Sequence, residues 1–186
     1  MPFHTCILAH FNMLSSLLPD EEINSVYEID FAKLKAQGKR GIIFDLDNTL
    51  GEWGFTKLDE RVWQLLDMLK KEGFVLGFLS NDSPKSNDFR LSTFRLLGCF
   101  GPMVFHARKP LSAGYEKLLA QMNVKVKEAV MVGDQLFTDI FGAKRLKIYS
   151  ILVEPVDRSK ESFFTRVRRA LERALLSLLA FLRGDK

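Results

Sequence analysis

Cysteine is the scarcest chemistry-bearing residue of this chain: Cys6 and Cys99 are the only two in 186 residues. Two isolated cysteines make neither a disulfide framework nor a zinc site, and Cys99, between Gly98 and Phe100, reads as a small apolar packing residue. Such usage suits a reducing cytosol. Long apolar runs are also lacking. The longest, near residues 174–182, is far short of the ~20 residues that a membrane-spanning helix needs. The amino terminus, from Met1 to Cys6, has neither the basic start nor the small-residue cleavage site of a signal peptide, so no export is expected. No internal repeat, low-complexity tract or Gly/Ser- or Pro-rich linker divides the chain. Its length suits one domain with a sizeable core and an appended terminal element. The net charge of +4 is concentrated at one end: residues 158–186 hold eight basic and three acidic side chains, so the basic character belongs to the tail.

The most informative stretch that is present runs Gly41-Ile42-Ile43-Phe44-Asp45-Leu46-Asp47-Asn48-Thr49-Leu50. Consecutive apolar residues before the first acid predict a strand buried on both faces, with Asp45 and Asp47 at its carboxyl end, where open α/β sheets bind ligands. Two carboxylates so placed repel each other unless something positive lies between them, and a hard cation such as Mg2+, which takes oxygen ligands, fits. A plain Asp/Asn turn is the other reading of this segment taken alone. An EF-hand is excluded, because its loop wants Gly where Leu50 stands and Glu where Thr56 stands.

Further along, Gly51-Glu52-Trp53-Gly54 reads as a tight flap. Residues 59–72 read as a helix with Val62, Leu65, Leu66 and Leu69 on one face and Gly73 as its stop. A second buried strand, 74–79, ends in Ser80-Asn81-Asp82. Helical patterns at 85–97 and 113–122 flank a short strand at 103–106 that leads into Arg108-Lys109-Pro110. Residues 129–132 form another buried strand closing on Gly133-Asp134, and 149–153 the last. Strands alternating with helices predict an α/β fold with a parallel sheet covered on both sides.

Asp45 and Asp47, then Ser80, then Lys109, then Asp134 with Asp139 five positions on form an ordered set of strand-end residues. This set resembles the four motifs of the haloacid dehalogenase (HAD) superfamily of phosphohydrolases: an Asp-x-Asp-x-Thr strand end, a Ser or Thr, a Lys, and a Gly-Asp-x-x-x-x-Asp pair. The resemblance implies a HAD-like Rossmannoid three-layer sandwich. It implies that Asp45 is a nucleophile forming an aspartyl phosphate and that Asp47 is the acid and base. Mg2+ would be held by Asp45, the Asp47 backbone carbonyl and Asp134, with Asp139 a supporting acid. Ser80 and Lys109 would bind the phosphoryl group, together with Asn48 and Asn81. His106 is not required by this chemistry and reads as a packed or solvent-facing residue.

The flap and one helix use up the residues between Asp47 and Phe74, and one helix and a short strand use up those between Asn81 and Lys109, so no cap domain fits. An uncovered site suits a substrate that supplies its own bulk, such as a macromolecule, a lipid head group or a ligand completed by a partner subunit. Leu18-Pro19-Asp20-Glu21 with Tyr27 and Asp30, Ala107-Arg108-Lys109-Pro110, Gly133-Asp134-Gln135-Leu136-Phe137-Thr138-Asp139 and Phe163-Phe164-Thr165-Arg166 resemble the capless subfamily IIIA, which includes phosphatidylglycerophosphate phosphatases. The resemblance runs from about Met13 to about Arg173, so Met13 is a candidate start and 1–12 an extension. Two positions depart from the pattern: Gly51 stands where a larger apolar residue is expected, and Asp82 where an amide is commoner. An extra carboxylate beside a phosphate site weakens anion binding if it points inward.

In the tail, Phe164, Val167, Leu171, Leu175, Leu178 and Leu182 recur at helical spacing, with Arg166, Arg169, Arg173 and Arg183 on the other face. A basic amphipathic helix over 158–186 either lies on an anionic membrane surface or packs on its own domain or a partner. Nucleic acid is not expected as a partner. The expectation is therefore a catalytic domain over 1–157 and the tail helix beyond it. By the resemblance, its function would be a Mg2+-dependent phosphatase, cytoplasmic or peripheral on the inner face of the membrane, dephosphorylating the head group of phosphatidylglycerophosphate to give phosphatidylglycerol. Soluble monoesters or phosphoproteins are the alternative substrates, and a non-catalytic interaction protein the alternative class.

Overall fold

The computed structural model describes residues 18–82 and 89–159, together with Ala174 and Ser177. Its strands are β1 (Glu21–Ile23), β2 (Gly41–Phe44), β3 (Val75–Leu79), β4 (Met103–Val104), β5 (Ala129–Gly133) and β6 (Tyr149–Val153). The helices of these residues are α1 (Phe31–Ala36), α2 (Glu60–Lys71), α3 (Leu91–Gly98), α4 (Ser112–Met122) and α5 (Phe141–Arg145). The strands form one six-stranded sheet in the order β1-β6-β5-β2-β3-β4, and every pairing in it is parallel.

Side chains alternate across β2 and so divide the core in two. Ile42 and Phe44 pack with Phe31 and Leu34 of α1, Leu66 and Leu69 of α2, and Phe94 and Leu97 of α3. Ile43 faces the other way, toward Tyr115, Leu118 and Met122 of α4 and Ala143 of α5. Helices cover both faces, giving the three-layer sandwich, and β2 is buried throughout because neither face meets water. Helix α2 starts where Asp59 accepts a hydrogen bond from the Arg61 N–H at 2.8 Å, and stops before Gly73, whose φ of +89° is left-handed.

Several features differ from the sequence reading, which contains no helix α5 and takes Cys99 as packed although it is exposed. Strand β4 stops at Val104 rather than 106, because His106 and Arg108 have φ of 50° and 54° and turn the chain away from the sheet. Strand β1, three half-exposed residues at the sheet edge, has too little pattern to be read. It is held by tertiary bonds: the Asp20 carboxylate accepts from the Ser150 N–H at 2.8 Å and pairs with Lys144 at 2.7 Å, and the Tyr149 hydroxyl donates to Glu21 at 2.6 Å. Helix α1, capped by the Asp30 side chain on the Lys33 N–H at 2.8 Å, was likewise not anticipated. The start of the helix expected over 85–97, the extension 1–12, Met13 and the tail helix over 158–186 lie outside the described residues, apart from Arg158, Ser159, Ala174 and Ser177. No helix among the described residues is long and apolar enough to cross a membrane.

The strand order brings four chain-distant strand ends together. Chain order reverses between β2 and β5, which creates a crevice at their carboxyl ends. Asp45 and Asp134 stand on its two sides, with Ser80 next along the edge after β3.

Candidate active site

Asp45 continues the β2 ladder, its N–H donating to the Val132 carbonyl at 2.9 Å, and its side chain points into a buried cluster. The ammonium of Lys109 lies at the centre. It donates to Asp45 Oδ1, stands 2.6 Å from Asp139 Oδ1 and donates to the Leu79 carbonyl at 3.1 Å. Two hydrogen bonds and one ion pair thus hold the ammonium, and its side chain is 3% exposed. Burial works against the Lys109 charge, but Asp139 and Asp45 outweigh it and hold the amine above its ordinary range. Lysine reaches this position because Asn81 grips its backbone: the Lys109 N–H donates to Asn81 Oδ1 at 2.6 Å, and Asn81 Nδ2 donates to the Lys109 carbonyl at 3.1 Å.

Asp139 enters from a π-helical turn, Leu136–Ile140, that leads into α5. The wider turn swings its carboxylate back over the end of β5, where Oδ2 accepts from the Gln135 N–H at 3.1 Å. Glycine at 133 is a packing requirement here, since a Cβ would sit 2.5 Å from Asp139 Cγ. The Tyr115 hydroxyl, buried under the turn, reaches the carbonyls of Thr138 and Asp139 at 2.9 and 3.1 Å. Tyr115 therefore fixes the backbone that carries Asp139. Sequence reading missed it, because a tyrosine on the buried face of a helix has no signal beyond packing.

Asp47 lies at the rim. Its Oδ1 accepts the Gly54 N–H at 2.7 Å, so the flap holds the carboxylate, and Arg90 Nη1 stands 3.8 Å away. Burial raises the Asp47 carboxyl, against the Gly54 N–H and Arg90. The same guanidinium pairs with Asp82 at 2.9 Å, so the unexpected carboxylate at 82 is compensated by a cation. Arg90 was not anticipated either, as one arginine ahead of a helix carries no sequence signal. The unexpected Gly51 is explained by packing: a Cβ there would lie 2.8 Å from both Phe55 and Leu58, whose side chains fill the space. Ser80 is buried, and its Oγ accepts from the Asp82 N–H at 3.0 Å. Asn48, in the left-handed region at φ 64°, accepts from the Asp157 N–H at 3.3 Å and so anchors the loop after β6.

The residues present fit a divalent cation. One carboxylate oxygen from each of Asp45, Asp134 and Asp139 lies within 4.8 Å of the others, and all three residues are buried. Burial pushes the Asp45 carboxyl well above its usual range, Lys109 opposes this, and Asp139 and Asp134 add to it. Three buried carboxylates against one ammonium leave an excess of negative charge that a cation with oxygen ligands would relieve.

Residues 51–147 match the family model of haloacid dehalogenase-like hydrolases, a span that begins just after Asp47 and includes Ser80, Lys109, Asp134 and Asp139. The chain is 37% identical over 163 residues to the probable phosphatase YqeG of Bacillus subtilis, covering 87% of this chain and 91% of that protein. It is 30% identical to phosphatidylglycerophosphate phosphatase 1, chloroplastic/mitochondrial, of Arabidopsis thaliana over 86% of this chain, and spans 47% of that relative. The crystal structure of an uncharacterized protein from Listeria monocytogenes serotype 4b shares the fold with a TM-score of 0.52 at 20% identity, over 74% of this chain and 99% of that one. Four motif positions converge on one sheet edge, the family model covers more than half of the chain, and the Bacillus relative matches nearly end to end; the chain belongs to the haloacid dehalogenase-like hydrolase family.

Proposed function

We propose that this HAD-family phosphatase removes the terminal phosphate of phosphatidylglycerophosphate, using Asp45 as a covalent nucleophile. The observation that carries the catalytic part is the buried cluster of Asp45, Asp134 and Asp139, with Lys109 paired to Asp45 and Asp139 and Asp47 at the rim. A phosphate monoester is polyanionic, so its site must cancel charge and hold the attacking and leaving oxygens in line. Asp45 attacks phosphorus and forms an aspartyl phosphate as the alkoxide departs. Asp47, whose carboxyl is raised by burial, protonates that alkoxide and then takes a proton from the water that hydrolyses the acyl phosphate. Lys109 neutralises charge on Asp45 and on the phosphoryl oxygens. The Ser80 hydroxyl, whose oxygen already accepts from Asp82, keeps its hydrogen for a phosphoryl oxygen. Asn81 acts on this reading through Lys109, and Asn48 through the loop after β6.

Asp45, the Asp47 carbonyl and Asp134 would hold Mg2+, with Asp139 supporting. When bound, the ion would supply charge neutralisation and orientation of the phosphoryl group. Two observations support a lipid substrate. The stretch between β2 and β3 is taken up by the flap and α2, leaving the site uncapped on that side. The relative in Arabidopsis bears the name of a phosphatidylglycerophosphate phosphatase and is similar over most of this chain. On this reading residues 1–157 are the catalytic unit, 158–186 a basic tail, and the protein works peripherally at the inner face of the membrane.

The test is phosphate release from phosphatidylglycerophosphate against a panel of soluble monoesters (nucleotides, sugar phosphates, a phosphopeptide) with and without Mg2+. Preference for the lipid by at least about tenfold in kcat/KM is expected. A soluble monoester that outruns the lipid would replace it as substrate.

A further inference from the structure

Seven large apolar side chains are exposed among the described residues, and their distribution is uneven. Tyr27 follows β1, Trp53 lies in the flap after β2, Phe89 stands at the entry to α3, Leu111 at the entry to α4, and Val156 follows β6. In a parallel α/β sheet each such connection leaves the carboxyl ends of the strands, so these five share the edge that holds Asp45. Only Met68 and Leu96 lie elsewhere, along α2 and α3. Exposure is large where it matters: 59% for Trp53 and 87% for Phe89. Tyr27, Trp53 and Val156 border one cleft of ≈ 610 Å³ beside the flap, whereas Phe89 and Leu111 do not line it and follow β3 and β4, on the other side of β2 from β1 and β6. Single exposed apolar residues are normal, but a set of them around one catalytic mouth marks a contact surface.

We propose that this rim docks on an anionic lipid bilayer, so that a phosphorylated head group reaches Asp45 while its acyl chains stay in the membrane. The proposal rests on the lipid-substrate reading above and adds a surface distinct from the tail. Tryptophan and tyrosine, apolar bodies with a polar tip, suit the boundary between lipid and water. Lys57, on the same cleft, and Arg108, beside Lys109, are exposed at this edge and complement anionic head groups. The same cleft also carries Glu52, Asp59 and Glu154; Asp59 pairs with Arg61 and Glu154 with Arg158, and Asp82 nearby pairs with Arg90. Acyl chains do not leave a bilayer for an uncapped site, so the mouth itself must come to the surface.

The full chain is tested with phosphatidylglycerol vesicles brominated on the acyl chains, which quench tryptophans that enter the lipid. Quenching of the wild type is expected, and Trp53→Phe should lose most of it, because the other tryptophan, Trp63, packs on Phe100 along α2. No quenching in the wild type, or equal quenching in Trp53→Phe, overturns the proposal. The triple variant Trp53→Ser/Phe89→Ser/Val156→Ser should hydrolyse vesicle-borne phosphatidylglycerophosphate at least about tenfold more slowly, since each side chain withdraws burial worth more than a tenfold step. Its turnover of an aryl phosphate and of monomeric short-chain phosphatidylglycerophosphate should match the wild type. Unimpaired vesicle hydrolysis by the triple variant overturns the docking surface but leaves the substrate reading standing if the short-chain lipid is turned over. Quenching by vesicles without hydrolysis of either lipid form overturns the substrate reading alone. A concentration-dependent dimer abolished in the triple variant, with no quenching, assigns the rim to a second copy and overturns lipid docking.

Discussion

Lys109 and Arg90 are both cations facing one aspartate of the Asp45-x-Asp47 pair, yet their surroundings differ. Lys109 is shut inside, donating to Asp45 and the Leu79 carbonyl and ion-paired with Asp139. Arg90 stands 3.8 Å from Asp47 and shares its charge with Asp82, whose side chain is 53% exposed. In the dry half each charge is held by geometry that the sheet dictates, and removing one group strands the others. In the outer half Arg90 and Asp47 are also largely enclosed, with side chains 12% and 15% exposed, but Asp82 is open to water and the flap supplies the positioning, so changes at Asp82 should be graded. On the proposed mechanism the inner half would cancel charge and the outer half would meet the leaving group.

The strongest way to break this contrast is Asp45→Asn. Phosphate release should fall by several orders of magnitude while the fold persists, because the amide is a poor nucleophile. Activity within about tenfold of wild type would overturn the role of Asp45. Removal of divalent ions by chelation should be as severe and reversible with Mg2+, and Asp134→Asn should raise the Mg2+ concentration required. Full activity in excess chelator would exclude the metal site.

Next in size is Lys109→Met, expected to lower turnover about 10²–10³-fold. It should also destabilise the metal-free protein by about 3–5 kcal/mol in urea unfolding, since it leaves Asp45 and Asp139 buried without their cation. Added Mg2+ should recover part of that loss by binding the folded form. A smaller effect is expected from Asn81→Ala, which removes two hydrogen bonds to the Lys109 backbone. Roughly tenfold in kcat, with a stability loss of about 1–2 kcal/mol, would fit a positioning role. The smallest is Asp82→Asn, in the outer half. With its charge already shared with Arg90, the change should move KM by no more than about threefold. A loss as large as that of Lys109→Met would show that both halves are equally intolerant.

Most of the sheet was readable because β2, β3 and β5 are buried on both faces and appear as unbroken apolar runs closed by polar residues. Asp45, Asp47, Ser80, Lys109, Asp134 and Asp139 were readable as candidates because each follows a strand end in order. Asn48 and Asn81 were expected at the phosphate; the described hydrogen bonds of Asn81 hold the Lys109 backbone, and Asn48 accepts from the backbone of the loop after β6. Strand β1 was not legible. It is too short for a period to show, and it exists through bonds to β6, more than a hundred residues away.

Local sequence determined which segments become strands, where they end and which chemical groups stand at those ends, since burial pattern and strand-end polarity are properties of neighbouring residues. The tertiary structure alone decided that β2 lies between β5 and β3. That order brings Lys109 to Asp45 across 64 positions of chain and lets Tyr115 brace the turn of Asp139. Contacts of this kind depend on which surfaces the packed layers bring together, and no local pattern of the chain encodes that.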